Sequence, residues 1–223
     1  MLMRDSDVLQ VKERVLAAAQ RAFQTGLQTN IGGNLSARVA STEACVVKAT
    51  GVGFAECTLE SLCVVGLDGR QLAGDRPPTS DVAIHLAIYR SRPDVHGIAH
   101  VHSPWATGWA AAGLAPPAVT VTAGDKLGRV PLIPLAPGGR TQTDAEILAV
   151  MGAGGPKGAI LEGHGVLACA PSILAAVHVL ELIEENAHVA AVRAVLLALA
   201  GREAGIDRMP PHPAAFVWET REE

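Results

Sequence analysis

The sequence predicts a single domain of mixed helix and strand, on three observations. Apolar residues recur at spacings of three and four toward both ends of the chain, the signature of amphipathic helices. Between them lie short runs rich in valine, isoleucine and threonine, broken by glycine and proline, which read as strands. The 223 residues, with no internal repeat and no low-complexity linker, are enough to enclose one core without staples.

From about Val8 to Thr25, Val11, Val15, Leu16, Ala18, Ala19, Ala22 and Phe23 mark one face of a helix that Gly26 stops. TNIGGNLSARV then sets two glycines and an asparagine ahead of an alternating run, a turn feeding a strand. ACVVKATGVGF is a β-branched strand broken at Gly51, and SLCVVGLDGR is another with a turn at Asp68-Gly69. Pro77 and Pro78 stiffen the approach to TSDVAIHLAIYRSRPDVHGIAHVHS, where Ile84, Ala87 and Ile88 mark a helix ending near Arg92, ahead of Pro93. A strand with two histidines follows. PWATGWAAAG reads as helix, PAVTVTAG and GRVPLIPLA as short strands, and TDAEILAVMG as a helix capped by Thr143 or Asp144. KGAILEGHGVLACA is an apolar strand interrupted at Gly163-His164-Gly165. PSILAAVHVLELIEENAHVAAVRAVLLALAG is one long helix with Pro171 near its start. From Arg202 the chain is proline-rich with little periodicity, and a partly mobile tail is expected.

Composition narrows the partners. The net charge of -4, from 18 basic and 22 acidic residues spread along the chain, leaves no basic stripe, so no nucleic-acid partner is expected. Cys45, Cys57, Cys63 and Cys169 form no CxxC pair, and the charged start MLMRDSDVLQVKER does not read as a secretory leader; a reduced, cytoplasmic setting is expected. Apolar tracts are broken by histidine, proline or charge before about 18 residues, so the chain is expected to be soluble, with no membrane partner.

The chemistry centres on histidine. In an extended strand, side chains alternate faces, so His100 and His102 point one way and Val101 the other. That is a bidentate metal grip, although a chain with eight histidines can hold one such pair by chance. Catalytic zinc takes three protein ligands and keeps a position open, and the best third candidate is His164, whose flanking glycines permit a tight backbone path into a cleft. His85, His96, His178 and His188 lack such a frame and read as structural or surface groups.

Three imidazoles are neutral, so a cation among them keeps its full charge for polarising a carbonyl, stabilising a developing enediolate or acidifying bound water. Proton transfer needs a base. Asp81 is the candidate, although an acid in the first turn of a helix is favoured by the macrodipole with or without a further role. Three polar patches could hold an anion: Asn34 after Gly32 and Gly33, Thr50-Gly51, and Thr79-Ser80 at a helix start. Each alone is more often a turn or cap than a phosphate cradle.

Taken in order, GGNLSAR (32 to 38), KATG (48 to 51), PTSD with the HLAIYRSRPDV helix and HVHS (78 to 103), and EGHG (162 to 165) resemble the class II aldolase/adducin family. That family consists mainly of metal-dependent aldolases acting on sugar phosphates, with L-ribulose-5-phosphate 4-epimerases, related decarboxylases and dehydratases, and the metal-free head of adducin. The resemblance implies an α/β/α sandwich with a mainly antiparallel central sheet, assembled as a homotetramer with sites at subunit interfaces. It implies that His100, His102 and His164 bind zinc or another divalent transition metal. It also implies that Asn34, Thr50, Gly51, Thr79 and Ser80 surround a substrate phosphate, with Lys48 nearby. Asp81 stands where the aldolases carry a glutamate acid/base and the 4-epimerases an aspartate, and HVHSPWATGWAAAG is closer to the epimerase version. Asp125, in TAGDKLG, resembles an epimerase aspartate that acts from a neighbouring subunit, in an alignment that needs a one-residue deletion.

Two departures stand out. KATG lacks the proline of the family's KPSG or TPSG. The family's catalytic tyrosine from an adjoining subunit has no counterpart, because the single tyrosine, Tyr89, lies in the helix where the family keeps a structural one. Either His212 or another tail group replaces it, or a different reaction runs on the same metal site. Three functions are therefore carried forward: a retro-aldol enzyme (aldolase or 4-epimerase) working through a metal-stabilised enediolate, a decarboxylase or dehydratase on the same scaffold, and a non-catalytic adducin-like module.

Overall fold

The computed structural model describes residues 4–136 and 140–202. The expected mobile tail, from residue 203 on, and His212 within it lie outside the described residues. The chain forms an α/β/α sandwich around one eight-stranded sheet in the order β4-β3-β2-β1-β5-β8-β7-β6. The strands are β1 (Asn34–Arg38), β2 (Ala44–Lys48), β3 (Leu62–Gly66), β4 (Gln71–Ala73), β5 (Gly97–Val101), β6 (Leu132–Ile133), β7 (Gly158–Leu161) and β8 (Gly165–Ala170). All neighbours run antiparallel except β6 and β7. The helices are α1 (Asp5–Gln24), α2 (Val82–Ser91), α3 (Pro104–Ala111), α4 (Val121–Leu127), α5 (Arg140–Met151) and α6 (Ile173–Leu199).

One face of the sheet is covered by α1, α3 and α6, and α2 with α5 lies on the other. Val11, Val15, Ala18, Ala19 and Ala22 form the buried stripe of α1, and Ile173, Ala176, Val177, Leu180, Ile183 and Ala187 that of α6. These spacings place one side of each helix on the sheet and leave the charged side in water. The central strands are buried on both faces, which explains why ACVVK and GVLACA read as continuous apolar runs. No helix among the described residues is long and apolar enough to cross a membrane.

Two local expectations are corrected. PAVTVTAG was expected as a strand, but Thr120 Oγ1 accepts from Ala123 N at 3.1 Å and starts helix α4 at Val121. A threonine that can cap outweighs the strand preference of its β-branched neighbours. Helix α5 begins at Arg140, so Thr143 and Asp144 lie inside it and face a cavity instead of capping it. KGAILEGHGVLACA is two strands joined by a turn, and β4, at three exposed residues, was too short to carry a periodic signal.

Candidate metal centre

Strand β5 ends at the site. His100 is its fourth residue and His102 follows its end, while Val101, fully buried, turns to the opposite face. His164 stands in the turn between β7 and β8, where Gly163 takes φ +61°. One ring nitrogen from each of the three histidines lies within 4.8 Å of the others. His100 Nδ1 donates to the Val166 carbonyl at 3.0 Å, which leaves Nε2 with its lone pair toward the centre. That nitrogen is 3.1 Å from His102 Nε2. Two nitrogens bound to one tetrahedral zinc at ~2.0–2.1 Å would be about 3.3 Å apart, so the trio fits a divalent ion. Burial, followed by the charges of His164 and His102, holds the His100 pKa far below the usual imidazole value; burial and His164 lower that of His102. These rings are neutral at ordinary pH, the form in which imidazole binds metal.

A support the sequence reading missed holds His102. Gln28, buried, accepts from the His102 backbone N–H at 2.7 Å and donates to Asn30 Oδ1 at 2.7 Å, which also accepts from Gly32 N at 2.8 Å. A β-carbon at Gly32 would fall 2.7 Å from His102 Nδ1, so the ring sits where only glycine leaves room. The glycine pair GG was visible in the sequence as a turn, but nothing in residue type marked Gln28 as its brace.

Asp81 occupies the N-cap position of α2 but makes no side-chain capping bond. Its carboxylate instead accepts from Asn34 Nδ2 at 2.7 Å. The sheet register brings Asn34 to the histidines, since Asn34 on β1 pairs directly with His100 on β5. Asn34 is buried, and its Oδ1 has no hydrogen-bond partner among the described residues. A cavity of about 210 Å3 opens here, and Asn34, Lys48, Thr50, Gly51, Thr79 and Ser80 line it together with Asp81, His102 and His164. The structure thus gathers every residue expected around a phosphate with two of the three histidines. Lys48 is buried, and its ammonium donates to the carbonyls of Ala49 (3.2 Å) and Val52, bracing the turn that carries Thr50 and Gly51. Burial lowers its pKa, against the charges of Cys57 and Asp81, which raise it.

A second cavity, also about 210 Å3, lies between α2, α5 and the sheet; Asp81 and His164 border both, and His100 borders this one. Asp125 is exposed on α4 and lines neither cavity. Tyr89 is buried with its hydroxyl 2.8 Å from Ser36 Oγ, and burial pushes its pKa well up, so it serves the core. His96, His178 and His188 are exposed, and His188 stacks on Trp105.

Comparison with known proteins bears on this arrangement. The model of the class II aldolase and adducin N-terminal domain matches residues 13–191. The L-ribulose-5-phosphate 4-epimerase UlaF of Salmonella paratyphi C (strain RKS4594) is 37% identical over 115 residues, 52% of this chain and 50% of that protein. The same enzyme of Salmonella typhi matches equally. The chain spans about half the length of the curated relatives it matches. Among solved structures, an L-fuculose 1-phosphate aldolase superposes with a TM-score of 0.76 at 24% identity, over 84% of this chain and 87% of that one. YgbL of Escherichia coli, a proposed aldolase/epimerase/decarboxylase, superposes with a TM-score of 0.75 at 27% identity, over 83% of this chain and 90% of that one.

Proposed function

Because the chain belongs to the class II aldolase and adducin N-terminal domain family, we propose that it is a zinc-dependent enzyme, with another divalent transition metal as the alternative ion, that makes or breaks a carbon–carbon bond of a phosphorylated keto-sugar. The reaction is an aldehyde-lyase or 4-epimerase step. The observation that carries this reading is the convergence of three imidazoles beside a carboxylate that does not cap its own helix. His100, His102 and His164 would hold the ion, which when bound supplies a positive charge that draws electron density from a substrate carbonyl.

The chain's own groups do the rest. Thr50, Gly51, Thr79 and Ser80 surround the phosphate in the polar cavity, and buried Lys48 adds positive charge behind them. Anchoring one end of the substrate sets the other against Asp81 and removes most of the entropy cost of orientation. Asp81 takes the proton of a substrate hydroxyl; the oxygen's electrons form a carbonyl as the neighbouring carbon–carbon bond opens, the pair from that bond passes into the keto fragment as its enediolate, and the same carboxyl returns the proton in reverse. Asn34 keeps the carboxylate aimed through its 2.7 Å hydrogen bond.

A homotetramer with sites at subunit interfaces belongs to the same proposal, supported by the exposed apolar side chains Trp105, Val192, Val195, Leu196 and Leu199 and by the position of Asp125 away from its own site. In that assembly Asp125 serves a neighbouring subunit as a second proton-transfer group. So does a cytoplasmic setting, in keeping with four free, buried cysteines. A second reading, decarboxylation or dehydration of a sugar-acid or sugar phosphate, is favoured by one observation: Tyr89 is committed to Ser36 and buried.

Protein purified without chelator and assayed for bound metal, then for lyase and epimerase activity on a panel of phosphorylated ketoses and aldonates, tests the proposal. About one transition metal per chain with cleavage or inversion of a ketose phosphate is expected. Less than about one metal per three chains would favour the non-catalytic adducin-like module. Turnover of aldonates alone would favour the second reading.

A further inference from the structure

The second cavity holds a polar group that the reaction above does not use. Ile84, Leu135, Ile147, Leu161 and Leu167 form its apolar wall, Asp81, His100, Thr143, Asp144 and His164 line the rest, and His85 stands one helical turn beyond Asp81. His85 is fully buried, its Nδ1 is 2.8 Å from Ser36 Oγ, and its Nε2 has no hydrogen-bond partner among the described residues.

The tautomer follows from counting hydrogens. Ser36 Oγ lies 2.8 Å from both His85 Nδ1 and the Tyr89 hydroxyl. If Tyr89 donates to Ser36 and Ser36 donates to Nδ1, every hydroxyl hydrogen is used and one donor, His85 Nε2–H, is left over. If Nδ1 carries the hydrogen instead, a hydroxyl hydrogen and the Nε2 lone pair are both left unpaired in the core. Each arrangement leaves one donor unmet, but the second leaves an acceptor unmet as well, and an unmet buried polar group costs ~1–3 kcal/mol, so the first arrangement wins. Burial lowers the His85 pKa to about 4, partly countered by Asp81, and the ring stays neutral with a single donor to give.

We infer that His85 is a substrate-binding residue, whose Nε2–H donates to one hydroxyl oxygen on an otherwise aliphatic fragment held in the cavity between α2 and α5. This rests on the retro-aldol reading and specifies its aldehyde side. About 210 Å3, at ~30 Å3 per non-hydrogen atom, admits a fragment of roughly seven atoms. A fully hydroxylated sugar end would set some of its hydroxyls against the isoleucine and leucine wall, each of those at a cost of ~1–3 kcal/mol. A short chain with one hydroxyl next to the reacting carbonyl and alkyl carbons beyond it satisfies both the donor and the walls.

Two measurements test this. In the first, the wild-type protein labelled with 15N in histidine is titrated with 2-hydroxybutanal and, separately, with 2-methylbutanal, in which a methyl replaces the hydroxyl. The His85 ring, assigned through bonds, is expected to be protonated at Nε2, and that proton signal is expected to move with the hydroxylated aldehyde only. In the second, metal-loaded enzyme adds dihydroxyacetone phosphate to the same two aldehydes. Wild type is expected to prefer 2-hydroxybutanal by roughly tenfold or more in kcat/KM, and His85→Phe to lose that preference. An unprotonated Nε2, a signal indifferent to 2-hydroxybutanal, or a preference that survives His85→Phe overturns the inference. Product without any change at His85 removes the residue from the site and leaves the reaction standing. A selective change without product keeps the binding role and removes the retro-aldol reading.

Discussion

Asn34 and Asp81, 47 residues apart, meet through a 2.7 Å hydrogen bond from the Asn34 amide to the Asp81 carboxylate, beside the three histidines. A carboxylate at an N-cap position ordinarily turns back to the first backbone N–H groups of its helix. Here it makes no such bond. A residue of β1 takes it instead, one that the sheet register places beside His100, so helix α2 alone does not set its direction.

If Asp81 moves the proton, Asp81→Asn keeps the bound metal and lowers turnover by about a hundredfold or more, the usual scale of a lost general acid or base. Steady-state kinetics with metal analysis on the same preparation reads both. Unchanged turnover would take Asp81 out of the mechanism.

The candidate metal site makes its sharpest demand on a glycine. His102→Ala is expected to lose both metal and activity. In Gly32→Ala the new β-carbon would lie 2.7 Å from His102 Nδ1, so the ring must shift. Disturbing the support of a ligand typically weakens metal binding ~10–100-fold. Competition with a chelator measures this, and a wild-type affinity in Gly32→Ala, or a full metal load in His102→Ala, would contradict the assignment.

Lys48 separates structure from binding. Lys48→Met removes the donor to the Ala49 and Val52 carbonyls, so a loss of about 2 kcal/mol in stability is expected, together with a raised KM for a phosphorylated substrate. Denaturant unfolding and kinetics report the two effects independently. Stability lost with KM unchanged would leave Lys48 a brace for the turn and nothing more.

Much of this site was legible in the sequence because it obeys short-range rules. HVH on a strand fixes the face of two imidazoles by period two, and a histidine between glycines marks a turn. The order of the four blocks identified the residues that now line one cavity. What was not legible depends on contacts between segments far apart in the chain. Gln28 carries no local signal, yet it holds the His102 backbone from 74 residues away. His85 read as a structural or surface group because no glycines frame it, and only the packing of α5 over α2 reveals a cavity beside it. The Val-Thr run of 119 to 122 failed differently, since strand propensity says nothing about whether a threonine will cap.

Burial of His85 also couples the fold to pH. In the unfolded chain an imidazole titrates near ~6.5, whereas in the folded protein burial lowers His85 to about 4. As pH falls through this window, the unfolded chain takes up a proton that the folded one refuses, so the unfolded state gains and stability drops. At one and a half units below the unfolded value the loss is about 2 kcal/mol. His100 and His102 are lowered too and add to the same trend, so the His85 share has to be read as a difference. Urea unfolding of metal-free wild type and His85→Gln at pH 7 and pH 5 provides it: wild type is expected to lose about 2 kcal/mol more than the variant between the two pH values. Equal losses would mean that His85 is solvated or already protonated in the folded state. That would remove the neutral single-donor ring on which its reading of a substrate hydroxyl depends.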